Sequence, residues 1–310
     1  MKIVLAEPLG IPEETLNALA TPLTAAGHTF VHFDKKPSCP DETAERLRDA
    51  EIGIIANSPF PDDAVRRCEK LRMLQVAFTG LDHVGLSACA EWGIPVRNAA
   101  GYSDTAVAEL TLGMTVSLLR FLTEADRAAR GGGTSLGLTG SEIRGKTVGI
   151  IGTGHIGLAA AKLFKAFGAE LIAFSRTERP EALELGVTYL PLNEVMRRAD
   201  ILTLHIPNTP ETRRMIGREQ IGLMKKSAVL VNCARGPVLD GAALAEALNA
   251  GRLAGAAIDV FDREPPLDAS EPLLTARNVL LAPHVGFLTR EAMERRAVIV
   301  FDNVKKVLGL

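Results

Sequence analysis

Val148-Gly149-Ile150-Ile151-Gly152-Thr153-Gly154-His155-Ile156-Gly157 joins a short apolar run to a glycine-rich turn. The apolar run has the length and composition of a buried strand, and an apolar helical pattern continues over residues 156–167. Gly152 and Gly154 permit a tight turn and a close approach of the backbone to a ligand, while Gly157 lets the helix pack on the strand. This order predicts a strand, turn and helix that bind the pyrophosphate of a dinucleotide; the alternative is a turn selected for packing alone.

The end of the next apolar run bears on which dinucleotide is bound. An NAD-specific site normally has an acidic residue there that binds the ribose 2′-hydroxyl, but this chain has Ser175, Arg176 and Thr177. A hydroxyl beside a guanidinium would bind a 2′-phosphate through charge-assisted hydrogen bonds. We therefore expect NADP to be preferred to NAD. The alternative is that Arg176 is a solvated surface residue and that NAD is used without the acidic contact.

Short apolar runs alternate with helical patterns along the 310 residues, which predicts repeated βαβ units and parallel sheets. One set occupies roughly residues 1–98 and a second, more regular set runs from 148 to 281, with helical segments over 104–130 and 289–308. The predicted fold class is α/β, with two doubly wound parallel-sheet lobes and a cleft between them. Nine runs are strand candidates: residues 3–5, 52–55, 73–76, 148–151, 171–174, 201–204, 228–231, 255–258 and 279–281.

Composition and charge narrow the classes of function. The formal net charge of −2 gives no reason to expect nucleic acid or an anionic membrane as a partner. The uncharged apolar run over residues 147–161 is interrupted by glycines and is shorter than the roughly 20 residues that span a bilayer. The four cysteines show neither a CxxC pair nor zinc-ligand spacing, which indicates reduced thiols, a cytoplasmic protein and no metal site.

Three residues have the chemistry that reduction of a 2-oxo acid needs. The planar fork of Arg235 matches a carboxylate and can polarise the neighbouring carbonyl. His284 can supply a proton, because an unperturbed imidazole titrates near pH 6.5, and Glu264 can hold its second ring nitrogen and favour the protonated form. Each would be an ordinary loop residue alone. Each also follows a strand candidate, and the carboxyl ends of parallel strands share one edge, where ligands bind.

Three segments around these residues resemble the signature blocks of the D-isomer-specific 2-hydroxyacid dehydrogenases, the family of D-lactate, D-glycerate and glyoxylate/hydroxypyruvate reductases. They are Asn232-Cys233-Ala234-Arg235-Gly236, Asp259-Val260-Phe261 with Glu264-Pro265, and Pro283-His284-Val285-Gly286. The resemblance implies that Arg235 binds the substrate and orients its carbonyl, that His284 is the acid/base and that Glu264 is the partner of the histidine.

The resemblance also implies further site residues. Asp259 would contact the nicotinamide carboxamide, His205 would line the cofactor, and the backbone amides of Phe78-Thr79-Gly80-Leu81-Asp82-His83 would hold the substrate carboxylate. Cys233 would lie beside the nicotinamide, so that its alkylation would slow the enzyme. The predicted cofactor-binding residues are Gly152, Thr153, Gly154, His155, Ile156, Gly157, Ser175, Arg176, Thr177, His205, Pro207, Cys233, Ala234 and Asp259. The predicted substrate-binding residues are Thr79, Gly80, Leu81, Arg235 and His284.

In the family the first lobe is discontinuous, which implies a substrate domain over residues 1–99 and 286–310 and a dinucleotide-binding domain over residues 100–285. A homodimer is implied as well, with residues 104–130 as the interface arm. The implied activity is hydride transfer between NAD(P)H and a small 2-oxo acid to give a D-2-hydroxy acid. Glyoxylate or hydroxypyruvate is the leading substrate class, because a preference for NADPH favours reduction.

Two other functions stay open. An NAD-linked 3-phosphoglycerate or phosphonate dehydrogenase would act on a doubly charged substrate, for which residues 79–83 offer no additional cationic cluster. A non-catalytic module that senses NAD(P)H, as in the transcriptional corepressors that share this fold, could retain the same three residues. The absence of a basic tract or a low-complexity arm in this sequence is evidence against that module.

Overall fold

The computed structural model describes residues 1–264 and 267–310 and divides the chain into two compact units. The first comprises Met1–Ser103 and Leu288–Leu310, and the second comprises Asp104–Phe287. These boundaries lie four residues (103 against 99) and two residues (287 against 285) later than the sequence-based ones. The Pro265-Pro266 pair that follows Glu264 lies outside the described residues.

The first unit contains a five-stranded parallel sheet with the order β2-β1-β3-β4-β5. This is the order of the flavodoxin-like doubly wound fold. Its strands are β1 (Lys2–Leu5), β2 (Thr29–His32), β3 (Ile52–Ile55), β4 (Met73–Val76) and β5 (Val96–Arg97).

The second unit contains a seven-stranded parallel sheet with the order β12-β11-β10-β9-β6-β7-β8. Counted from its own first strand this is 3-2-1-4-5-6 with a seventh strand added, the Rossmann arrangement. Its strands are β6 (Thr147–Ile151), β7 (Glu170–Phe174), β8 (Thr188–Tyr189), β9 (Ile201–Leu204), β10 (Val229–Asn232), β11 (Gly255–Ile258) and β12 (Val279–Leu281).

Helices cover both sheets, which explains why the central strands β3, β4, β9, β10 and β11 are buried along their whole length. The helices are α1 (Glu13–Ala25), α2 (Pro40–Leu47), α3 (Asp62–Val65), α4 (Leu86–Glu91), α5 (Asp104–Leu119), α6 (Leu122–Arg130), α7 (His155–Ala166), α8 (Pro180–Glu184), α9 (Leu192–Arg198), α10 (Arg218–Leu223), α11 (Gly241–Asn249) and α12 (Arg290–Leu308).

The two parallel α/β sheets and all nine strand candidates of the sequence analysis are confirmed, within one residue at each end. The strands β2, β5 and β8 were missed. All three are partly exposed, and β5 and β8 have only two residues each, too few to show a period. The helical segment 104–130 is two helices, because Phe121 has a left-handed backbone (φ 51°) that ends the first.

No single helix among the described residues is long and apolar enough to cross a membrane. The consecutive helices α5 and α6 pass the same criteria only when taken together, and they are bent by 57°. Within residues 1–264 and 267–310, no group of three or more His, Cys, Asp or Glu side chains could hold a metal ion.

Candidate active site

The glycine-rich turn follows β6, and its three glycines have different surroundings. Gly152 has a left-handed backbone (φ 96°), and a Cβ there would lie 2.6 Å from the His205 carbonyl oxygen. A Cβ on Gly157 would lie 2.0 Å from the Gly152 carbonyl oxygen. Packing within the protein therefore requires both glycines. A Cβ on Gly154 would meet no atom within 4 Å, so packing leaves open space at this one position.

The turn has the features that a dinucleotide pyrophosphate needs. Strand β6 lies between β7 and β9, so the strand order reverses here, and ligands of open α/β sheets bind at such a switch point. Helix α7 begins at His155 behind Gly154, which has no side chain to cap the first N–H groups. These donors and the helix dipole favour an anion. The residues fit a dinucleotide, whose pyrophosphate would take the open space beside Gly154.

A hydroxyl bridge connects this turn to Arg179, which follows the segment expected to select NADP. The buried Thr153 Oγ1 lies 2.8 Å from the Tyr189 hydroxyl, which also accepts a hydrogen bond from the Arg179 backbone N–H at 3.0 Å. Ser175 is half-buried directly after β7, while Arg176 and Thr177 are exposed.

His155 and Ile156, which are also predicted to bind the cofactor, lie in different environments. The His155 side chain is exposed, and its Nδ1 lies 3.5 Å from Asp104 Oδ2. Ile156 is partly buried and packs on an apolar cluster that includes Cys233. In the structure, therefore, the His155 ring has a carboxylate partner of its own within the second unit.

The strands that carry the remaining candidates end in register. Leu204 of β9 pairs with Asn232 of β10, Asn232 pairs with Ile258 of β11, and Ile258 pairs with Leu281 of β12. The segments that follow these strands therefore start at one edge of the sheet, as expected for parallel strands. The structure thus brings the loops of Arg235, Glu264 and His284 to the same edge as the glycine-rich turn.

His205 follows β9 at this edge and is held neutral. Its Nε2 lies 3.0 Å from Thr203 Oγ1, while its Nδ1 is buried without a partner among the described residues. Burial lowers the pKa of His205 to about 4. The exposed Pro207 accepts a hydrogen bond through its carbonyl oxygen from Thr212 Oγ1 at 2.6 Å, which fixes the following loop.

Cys233 is buried, and its Sγ lies 3.8 Å from the Met114 sulfur in α5. Burial, with the Asp259 carboxylate as a smaller contribution, raises the pKa of the thiol to about 12. The native thiol should therefore react slowly, because its thiolate is scarce and shielded; the expectation that alkylation of Cys233 slows the enzyme stays a prediction. The neighbouring Ala234 is only half-buried.

The loop of Arg235 is braced by Asn232, a fully buried residue that the sequence analysis did not single out. Its Oδ1 accepts from the Ala234 backbone N–H at 3.0 Å, and its Nδ2 donates to the Arg235 carbonyl at 3.0 Å. Arg235 Nη1 donates to the Ala234 carbonyl at 2.7 Å. A Cβ on Gly236 would lie 2.0 Å from the Phe261 carbonyl group, so this glycine lets the loops after β10 and β11 touch.

Glu264 and His284 form the predicted pair. Glu264 Oε2 contacts His284 Nδ1, and Glu264 Oε1 accepts a hydrogen bond from the Phe261 backbone N–H. Because both carboxylate oxygens are engaged, the carboxylate is fixed in place and holds the ring by Nδ1. The His284 side chain remains 35% exposed, so Nε2 is the nitrogen left for a substrate. The Phe287 ring packs edge-on against the imidazole at 5.5 Å.

Asp259 holds the turn that presents the imidazole. His284 has a left-handed backbone (φ 57°), a conformation that is costly for a residue with a side chain. The Asp259 carbonyl accepts from the His284 N–H, and its two carboxylate oxygens accept from the N–H groups of Val285 and Gly286, each at 2.8 Å. Burial raises the pKa of Asp259, and the two backbone hydrogen bonds oppose this shift. Its contact with a nicotinamide stays a prediction.

The loop of residues 78–83, which is predicted to bind the substrate carboxylate and is called the carboxylate loop below, lies in the first unit after β4. The backbone N–H groups of Thr79, Gly80 and Leu81 make no hydrogen bond within the described part of the chain. All three residues are half-buried, so a ligand could reach these groups. Consecutive free N–H groups that point the same way form an anion-binding concavity. His83 Nε2 lies 2.8 Å from the Ala56 carbonyl oxygen, which supports a structural role for that histidine.

A Rossmann sheet with an open glycine-rich turn and a carboxylate-held imidazole at the same edge is the arrangement of a dinucleotide-dependent dehydrogenase. The family described as D-isomer specific 2-hydroxyacid dehydrogenase, NAD binding domain, matches residues 112–286. The chain belongs to this family.

Two curated relatives are a D-3-phosphoglycerate dehydrogenase of Methanocaldococcus jannaschii and a glyoxylate reductase of Aeropyrum pernix. The first is 42% identical over 272 residues, which cover 86% of this chain and 52% of the relative. The second is 37% identical over 283 residues, which cover 88% and 84%. The chain thus spans about half the length of the first relative. An acyclic imino acid reductase solved with NADPH and D-Arg has a TM-score of 0.89 at 27% identity, covering 100% of this chain and 97% of that one.

Proposed function

We propose that this protein reduces a small 2-oxo acid, with glyoxylate or hydroxypyruvate as the leading substrate, to the D-2-hydroxy acid with NADPH. The observation that carries the proposal is the Glu264–His284 pair, which lies with Arg235 at the sheet edge where the pyrophosphate turn opens. Similarity to the glyoxylate reductase of Aeropyrum pernix supports the substrate class.

A bound nicotinamide would supply the hydride. His284 is then the proton donor, because Nδ1 is held by Glu264 and Nε2 is free to face the developing alkoxide. The oxygen of the 2-oxo group takes this proton as its carbon takes the hydride, which yields the 2-hydroxy acid. Arg235 is proposed to pair with the substrate carboxylate and to polarise the adjacent carbonyl, a role for which its planar fork is suited.

The free N–H groups of Thr79, Gly80 and Leu81 are proposed to bind the carboxylate of the substrate. Backbone N–H donors bind carboxylates and phosphates alike, but residues 79–83 include no Lys or Arg for the second charge of a phosphorylated substrate. This favours small 2-oxo acids over 3-phosphoglycerate, the substrate in the name of the Methanocaldococcus jannaschii relative.

The preference for NADPH rests on Ser175 and Arg176, which directly follow β7. The exposed guanidinium and the half-buried hydroxyl could both reach a 2′-phosphate, whereas an acidic residue at this point would repel it. The NADPH complex of the imino acid reductase shows that this fold accommodates the phosphorylated cofactor in another protein.

A homodimer is proposed on separate grounds. None of the described side chains of α6 is buried, and this helix leaves Leu122 50% exposed. Leu136, in the loop after it, is 92% exposed. Exposed apolar side chains mark an interface where they form one contiguous patch. Light scattering after size-exclusion chromatography would give about twice the chain mass of 33.1 kDa for a dimer.

The test is the oxidation of NADPH and NADH in parallel against glyoxylate, hydroxypyruvate, pyruvate and phenylpyruvate, with NADP⁺ or NAD⁺ plus 3-phosphoglycerate in the reverse direction. NADPH-dependent reduction of glyoxylate or hydroxypyruvate is expected to be fastest. Equal or better rates with NADH would refute the cofactor preference and leave the chemistry intact. Turnover of 3-phosphoglycerate alone would refute the substrate class, and cofactor binding without turnover on any substrate would favour a sensing module.

A further inference from the structure

Three side chains of α12 hold the loops around the carboxylate loop of the first unit. Arg295 Nε donates to the Tyr102 carbonyl at 3.0 Å, and Asn303 Nδ2 donates to the Asn98 carbonyl at 3.0 Å. Arg296 Nη2 donates to the Leu9 carbonyl at 2.5 Å. A single helix therefore fixes the segment after β1 and the segment after β5.

The segment after β5 in turn sets the direction of the free N–H groups. The Ala99 N–H donates to the Phe78 carbonyl at 3.0 Å, and Asn98 Nδ2 donates to the Thr79 carbonyl at 2.8 Å. In a trans peptide the carbonyl points away from the N–H of the next residue. Because both carbonyls point toward residues 98 and 99, the N–H groups of Thr79 and Gly80 both point away from them, as an anion site requires.

Arg296 holds the side chain at the start of this loop. Its guanidinium carbon lies 5.2 Å from the centre of the Phe78 ring and 5.9 Å from that of Tyr102, and the two rings pack edge to face at 5.9 Å. Arg296 is only 4% exposed, and its Nε has no partner in the described residues. An apolar side chain of similar length would fill this space without burying a charge. The distinctive contribution of Arg296 is therefore its contacts with Phe78, Tyr102 and Leu9.

We propose that Arg296 is a positioning residue for substrate binding. By packing against the Phe78 and Tyr102 rings at the start of the loop, it keeps the N–H groups of Thr79 and Gly80 aimed together at the substrate carboxylate. This inference rests on the proposed function, because it assigns the carboxylate to that loop. Replacing Arg296 should therefore weaken binding of the substrate carboxylate without affecting cofactor binding or proton transfer.

Arg46 is a matched control in the same unit. Its guanidinium also lies over an aromatic ring, 4.5 Å from the centre of Phe33, and Nη1 donates to the carbonyls of Ala6 and Lys35 at 2.6 Å. Its side chain is 9% exposed. Arg46 thus shares with Arg296 a largely buried guanidinium, an aromatic ring and carbonyl contacts. It also pairs with Glu42, and none of these contacts is with the carboxylate loop.

The experiment compares R296M, R296K and R46M with the wild type. For R296M we expect KM for glyoxylate to rise about tenfold, with kcat within about twofold and the NADPH Kd unchanged. R296K should recover part of the loss, because it keeps the charge without the planar fork. R46M should lower Tm by a similar amount and leave KM unchanged. An unchanged KM in folded R296M, or an equal rise in R46M, would overturn the proposal. R296K provides the same comparison if R296M does not fold.

Oxalate binding, measured by calorimetry with NADP⁺ present, gives a readout that does not need turnover. If the wild type binds oxalate and R296M binds it about tenfold more weakly, positioning is supported even where the tested 2-oxo acids are not reduced. Wild-type turnover with equal oxalate affinity in R296M would refute only the positioning role. A wild type that neither turns over the acids nor binds oxalate would refute both the proposed function and this inference.

Discussion

Replacing Gly154 by alanine separates the two explanations of the glycine-rich turn. Gly154 has φ −67° and ψ −169°, which alanine adopts without strain, and its new Cβ would meet no atom within 4 Å. Folding stability should therefore change by less than about 1 kcal/mol, and a small gain is expected from the less flexible unfolded chain. A turn selected for packing alone would show no further effect.

Cofactor binding should respond very differently. If the pyrophosphate lies against the Gly154 backbone, the added methyl group occupies the space of the phosphate oxygens. Overpacking of this kind costs about 1–3 kcal/mol, which corresponds to a rise of roughly tenfold to a hundredfold in the NADPH Kd. The assay is a fluorescence titration of NADPH with the variant and the wild type, paired with a thermal unfolding curve for each.

Two glycine variants serve as controls. Gly113 of α5 also has open space around a new Cβ, so Gly113→Ala should leave the NADPH Kd unchanged and raise Tm slightly, because alanine is favoured over glycine inside a helix. Gly157→Ala would place a Cβ 2.0 Å from the Gly152 carbonyl oxygen and should lower Tm. A folded Gly154→Ala protein that binds NADPH as tightly as the wild type would refute the placement of the pyrophosphate at this turn.

Four further outcomes are expected. Glu264→Gln should lower kcat about a hundredfold at an unchanged NADPH Kd, because the imidazole loses its charged partner; stopped-flow rates check this, and a wild-type kcat would contradict it. Tyr189→Phe removes the hydroxyl bridge to the pyrophosphate turn, so the ratio of NADPH to NADH efficiency should fall severalfold in steady-state assays, and an unchanged ratio would exclude the bridge as a determinant. His205 has a pKa of about 4 in the folded protein, below its ordinary 6.5. Its contribution to the free energy of unfolding is therefore full above pH 6.5 and is lost as the pH falls through 4. Urea unfolding at several pH values should show that His205→Asn removes up to about 3 kcal/mol of this pH dependence. An equal change of unfolding free energy with pH in both proteins would argue against the low pKa. N-ethylmaleimide at pH 8 should label the exposed Cys39 of the native protein before the buried Cys233 and leave the activity intact, which peptide mass spectrometry can verify.

Much of the fold could be predicted because its signals are local. The apolar runs, the helical periods and the glycine-rich turn are each readable within a few residues, and parallel pairing follows from their alternation. The strand β8 has two residues and could not be recognised this way, yet it contributes the Tyr189 hydroxyl that contacts Thr153. This bridge joins residues 36 positions apart, and only the folded sheet brings them together.

The sequence by itself determined the α/β class and the glycine-rich turn after a strand, and it singled out Arg235, Glu264 and His284 as candidates, because residue type and position after a strand are properties of the chain. The tertiary structure decided that Gly154 alone of the three glycines faces open space and that Asp259 holds the left-handed turn at His284. It also decided that Cys233 is shielded. Each of these facts depends on contacts between segments that are distant in the sequence, so no local pattern could reveal them.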